Sequence, residues 1–113
     1  MSEGIQPVDI LAARLRHAAL RQRTAAGNLA NQSTPGFKAK RVQFEEAFKR
    51  ALDRGDRKAA LKVEAGLVDH DGPSDATGNT VDLDTELLEL QDAGLEHKAL
   101  ARLINLSLKQ MRL

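Results

Sequence analysis

Apolar residues recur along the chain at helical spacing in two long stretches separated by a turn-rich middle. In the first stretch Val8, Leu11, Leu15, Ala18, Ala25 and Leu29 alternate steps of three and four, with only Gln22 interrupting the seam. Ala12, Ala19 and Ala26 flank it seven residues apart. Pro7 suits a first helical position and Asp9 the opening turn, so the pattern predicts a helix over 7–31. An alanine-rich seam permits close approach but buries little area per residue, so this helix needs several neighbours. An ordinary buried helix of a small bundle fits the same spacing.

The second stretch carries the stronger signal. Leu83, Leu87, Leu90, Gly94, His97, Ala101, Ile104, Leu108 and Met111 form a continuous heptad seam. Leu88, Leu95, Leu100, Leu103 and Leu106 widen the apolar surface beyond what one partner helix covers. Asp82 is the expected N-cap, Asp84, Glu86 and Glu89 crowd the start, and Lys98, Arg102, Lys109 and Arg112 the end, as the helix dipole favours. A helix over 82–112 follows, roughly 45 Å long at about 1.5 Å per residue.

Between the two, Pro35 and Gly36 suit the central positions of a type II turn, and Thr34 before the proline is pushed to extended geometry, so the first helix stops there. The segment 32–42 is read as turn and loop. Phe44, Ala47, Phe48, Ala51 and Leu52 then share one face of a short amphipathic helix over 43–54, with Gly55 beyond its end. The remainder, 55–81, is read as irregular, although Leu61, Val63 and Ala65 alternate weakly enough to admit a short strand. The fold expected is all-α: a single elongated domain with a coiled-coil-like pair of long terminal helices.

Composition narrows the chemistry. The chain has 113 residues, three Phe, no Trp or Tyr and no Cys, so bulky core material is scarce and there is neither a disulfide framework nor a thiolate metal site. No apolar run reaches the length of a membrane span. The start, Met1 to Pro7, lacks the basic and apolar regions of a cleaved secretion signal. The net charge of +1 divides unevenly: residues 1–58 hold 12 Lys+Arg and 6 Asp+Glu (+6), residues 59–113 hold 5 and 10 (−5). Such halves attract each other and their counterparts on neighbouring copies. Arg14, Arg16, Arg21 and Arg23 lack interleaved aromatics, which argues against nucleic acid.

Asp69, His70, Asp71 and Asp75 invite a metal, but a calcium loop counted from Asp69 would need glycine and an acidic residue where Ser74 and Thr80 stand. His17 and His97 have no ligand-spaced companions, and the Ser, His and carboxylate positions show no catalytic spacing. No metal, cofactor, small-molecule ligand or enzymatic activity is expected.

The string Asn28-Leu29-Ala30-Asn31, then after three residues (Gln32, Ser33, Thr34) Pro35-Gly36-Phe37-Lys38-Ala39, resembles the N-terminal signature of the flagellar rod, hook and hook-associated axial proteins. The short length and the entry Gly78-Asn79-Thr80-Val81-Asp82-Leu83-Asp84 into the last helix are most similar to the rod members of that family. Gly94 and His97 depart from it, standing where an asparagine and an aromatic are common. The resemblance implies a structural subunit, exported unfolded through the flagellar type III apparatus without a cleaved signal, that polymerises through its terminal helices into the periplasmic rod of the basal body. Its implied partners are copies of itself, other rod proteins and the membrane-ring and export-gate components at the rod base. Phe44-Glu45-Glu46-Ala47-Phe48 resembles the short element by which early rod and hook subunits dock on the export gate, although the same rings also fit a buried helix face. A generic coiled-coil adaptor explains both seams but not the Pro-Gly-Phe string.

Overall fold

The computed structural model describes residues 6–111. Two long helices, α1 (Pro7–Ala30) and α4 (Leu83–Met111), lie side by side in a body of 58 × 26 × 15 Å. They run antiparallel, since Asn28 meets Glu86 whereas Arg21 reaches Asp92 and Glu96. The backbone N–H of Gln6 donates to Asp9 Oδ2 at 2.7 Å, satisfying one orphan donor at the start of α1. At the start of α4 the Asp82 carboxylate accepts from the N–H of Thr85. The expected helix end at Arg112 lies outside the described residues, as do residues 1–5 of the N-terminal stretch.

The α1 positions Val8, Leu11, Leu15, Ala18, Ala25 and Leu29 are all buried or half-buried, with Ala18 and Ala25 sealed almost completely. On α4 the most buried residues are Glu86, Ala93 and Leu100, seven apart. Leu90, Gly94, His97, Ala101 and Ile104 are half-buried beside them, whereas Leu83, Leu87, Leu108 and Met111 are exposed in the subunit. The seam read from the leucines is thus turned away by about one residue, or ~100° of helix. The cause is polar: α1 presents Arg21 and Asn28, and α4 rotates to bring its carboxylates rather than Leu87 against them.

The middle differs from the expected loop. After the turn, β1 (Lys40–Gln43) pairs antiparallel with β2 (Gly66–Asp69), Lys40 opposite Asp69 and Gln43 opposite Gly66. Two short helices lie between, α2 (Glu45–Asp53) and α3 (Arg57–Lys62). The chain is therefore mostly helical rather than all-α, and 55–81 is only partly irregular. β1 was not visible because Lys-Arg-Val-Gln holds one apolar residue, and six-residue α3 is too short to show a period. α2 starts at Glu45, with Phe44 as its N-cap and Ala47 exposed, so the two rings are not both on the helix. Its end closes with the N–H of Asp56 donating to the carbonyl of Ala51 and that of Gly55 to Leu52, a Schellman motif. Phe44, Phe48, Ala51 and Ala60 pack on Ala13 of α1 in a second small core, with Ile10, Val42, Leu61 and Val63 around it.

Candidate functional site

The turn after α1 is built from local hydrogen bonds. Asn31 caps the helix, its Nδ2 donating to the carbonyl of Gly27 at 2.8 Å, and the hydroxyl of Thr34 donates to Asn31 Oδ1. The N–H of Phe37 donates to the carbonyl of Thr34 at 3.2 Å across Pro35 and Gly36, and Gly36 has φ +74°. That is the geometry of a type II turn.

Beyond these local bonds, the segment before α4 fixes the turn against the rest of the fold. Asn79 Nδ2 donates to the carbonyls of Asn31 (2.9 Å) and Thr34 (2.8 Å), while its Oδ1 accepts from the N–H of Val81. The N–H of Thr80 donates to the carbonyl of Phe37, and the Thr80 hydroxyl accepts from the N–H of Ala39. Asn79 and Thr80 are buried. Gly78 (φ +85°) sits so close to Gly36 that a Cβ there would lie 3.6 Å from the Gly36 Cα. The two strings that carry the family resemblance thus form one knot, although its bonds join residues 41 to 48 positions apart.

Asn28 links this knot to the helix pair. Its Oδ1 accepts from the N–H of Lys40 at 2.9 Å and its Nδ2 donates to the Lys40 carbonyl at 3.0 Å, so the side-chain amide pairs with β1 as a neighbouring strand would. The same Nδ2 donates to Glu86 Oε1 at 2.9 Å, and Arg41 Nη1 donates to Glu86 Oε2 at 2.7 Å. Glu86 is fully buried, and these charge-assisted bonds offset its desolvation. Further along, the Arg21 guanidinium forks onto Glu89 (3.0 and 2.6 Å), reaches Asp92 (2.7 Å) and approaches Glu96 (3.5 Å). The bonds to Glu89 hold its pKa above the ordinary arginine value.

Phe44 and Phe48 stack with ring centres 4.8 Å apart, and His17 stacks on Phe44 at 4.3 Å. Both phenylalanines are buried in the folded subunit. Burial pushes the His17 pKa down despite Glu45 Oε2 at 3.9 Å, and its buried Nδ1 has no hydrogen-bond partner among the described residues. The acidic loop is otherwise engaged: Asp69 pairs with Lys40, and Asp75 Oδ1 accepts from the hydroxyl and N–H of Thr77 and the N–H of Asn79. Those bonds, the hydroxyl foremost, lower the Asp75 pKa.

Sequence reading marked Asn28, Asn31, Thr34, Pro35, Gly36 and Phe37 but missed their clamps Asn79 and Thr80, and missed Glu86 and Arg21 as partners across the helix pair. A carboxylate in heptad phase with Ala93 and Leu100 is the one signal that pointed to Glu86. On the side of α4 turned away from α1, Leu88 and Leu95 are 67% and 64% exposed, with Leu103 and Leu106 following.

No protein-family model matches the chain. It is 31% identical to the flagellar basal body rod protein FlgB of Proteus mirabilis (strain HI4320) over 111 residues, covering 80% of each chain. It is 30% identical to the same protein of Salmonella typhimurium over 112 residues, covering 82% of this chain and 80% of that one. The Bacillus subtilis (strain 168) counterpart is 29% identical over 104 residues, covering 80% of this chain and 78% of its own. At 30–31% identity over four-fifths or more of its length, the chain belongs to the FlgB family of flagellar basal body rod proteins.

Proposed function

We propose that the chain is a structural subunit of the proximal rod, polymerising through α1 and α4 and delivered by the flagellar type III apparatus to the periplasmic part of the basal body. The observation that carries this reading is the outward face of α4, where Leu88, Leu95, Leu103 and Leu106 stand exposed on a helix already packed along its other side. Nothing among the described residues covers them, and neighbours would. Its partners are copies of itself, other rod proteins and the membrane-ring and export-gate components at the rod base. No described helix is long and apolar enough to cross a membrane.

Purified basal bodies test this. The wild-type chain is expected in them, and a Leu95→Glu, Leu106→Glu variant is expected to keep its helical circular dichroism yet be absent. A variant that enters basal bodies normally sinks the reading; a defined soluble dimer with no basal-body association favours an adaptor.

Phe44 and Phe48 serve export only while the chain is unfolded, because folding buries both rings. We assign them docking on the export gate before folding and core packing after it. If Phe44→Ala leaves secretion intact and blocks rod assembly, docking is wrong; if unassembled subunit accumulates in the cytoplasm, it stands.

A further inference from the structure

The two-helix layer has two unequal outer faces. On α1 the side turned away from α4 carries Ala13, Arg16, Leu20, Arg23 and Gly27, at 140–220° from Ala18 at about 100° per residue. Two adjoining depressions of about 320 Å³ each run along it, sharing Leu20 and Arg23. One is walled by Phe44, Leu61, Val63 and Ala65, the other by Phe37 and Leu67 of β2. The result is an apolar groove between α1 and segment 61–67. Arg16 and Arg23 on its rim are exposed and have no ion pair among the described residues, and Glu64 stands on the far lip.

The opposite outer face, on α4, is a ridge. Leu88 and Leu95 lie at 180–200° from Glu86, one heptad apart, pointing away from α1. Beside them Glu89, Asp92 and Glu96 share Arg21 as their one ion-pair partner among the described residues, and the nearby Arg41 is taken by Glu86, leaving an excess of negative charge. Lys98 follows near the C-terminal side.

We propose that the Leu88–Leu95 ridge of one copy seats in the α1 groove of the next, an inference that rests on the assembly reading above. Ridge and groove are on opposite sides of one layer, so the contact is heterologous and, unlike a two-fold pairing of ridges, propagates. Stacking by near-translation preserves the level at which α1 and α4 residues meet within a subunit, where Asn28 faces Glu86 and Arg21 faces Asp92. Leu88 then enters the depression at Leu67, Leu95 the one at Leu20, Arg23 of the receiving copy meets Asp92, and Glu64 meets Lys98. A ridge-to-ridge pairing at that level would set acidic cluster against acidic cluster.

The chain has no cysteine, which makes cross-linking unambiguous. Leu67 and Leu88 are 53% and 67% exposed, so Leu67→Cys and Leu88→Cys leave the fold intact. Single variants of the full chain are mixed in equal amounts, concentrated until polymer sediments, and oxidised mildly. The expected result is a disulfide-linked pair at least tenfold more abundant than from Leu67→Cys mixed with Leu106→Cys, falling at least fivefold when Arg23→Glu is added to the Leu67→Cys chain. Polymer without this cross-link overturns the contact while leaving assembly standing. Cross-linking of Leu88→Cys to Leu106→Cys instead also overturns it, in favour of an antiparallel ridge pairing. Absence of polymer at any concentration removes the assembly reading and the contact with it.

Discussion

Changing Asn28 to aspartate preserves shape and replaces one donor by an acceptor, which isolates the part that polarity plays where α1, β1 and α4 meet. The wild-type Nδ2 donates to the fully buried Glu86 at 2.9 Å and to the Lys40 carbonyl at 3.0 Å. Loss of a bond to a charged acceptor costs about 1.5–3 kcal/mol and a neutral bond about 1. The new carboxylate also faces Glu86, and two like charges ~4 Å apart at an effective dielectric of about 20 repel by about 4 kcal/mol, an amount that Arg41 beside Glu86 reduces. The expected total is about 5–6 kcal/mol for Asn28→Asp at pH 7, against about 4 for Asn28→Ala, which also loses the bond from the Lys40 N–H but adds no charge. For a domain of this size a loss of about 5 kcal/mol lowers the melting temperature by roughly 20–40 °C. Thermal melts followed by circular dichroism at pH 7 check this. Asn28→Asp within about 1 kcal/mol of wild type at pH 7, or less costly than Asn28→Ala, would refute the proposed polarity.

Three further outcomes follow from the same geometry. A Cβ at Gly36 would meet only the Thr77 carbonyl at 4.0 Å, so the cost of Gly36→Val is backbone strain at φ +74°, about 1–2 kcal/mol, whereas Gly36→Asn, tolerant of that region, should cost less in denaturant melts. The depressed His17 pKa means that the unfolded chain binds the proton better, so stability is complete above about pH 6.5 and declines as pH falls below it; His17→Gln should flatten that part of the profile. Arg21→Met strands Glu89, Asp92 and Glu96, which are part-exposed, for a loss of about 1–3 kcal/mol that shrinks in 0.5 M salt, and Arg21→Lys, without the fork, should fall between.

What the sequence determined by itself is what depends on local spacing. The extents of α1 and α4 follow from heptads and end signals within a few residues of each boundary, and the turn from Pro35 and Gly36, whose backbone preferences need no distant partner. The family was legible in the same strings. Tertiary structure decided everything that required residues far apart to meet. Asn79 and Thr80 read as the entry to a helix, and only the fold shows them clamping a turn some 45 residues earlier. The leucines of α4 suggested a seam through Leu83 and Leu87, but hydrophobic area does not choose among the faces of a helix that is apolar on several sides. The choice fell to Asn28, Arg21 and Arg41, because a carboxylate such as Glu86 is buried only where donors await it, and that demand turned the leucines outward.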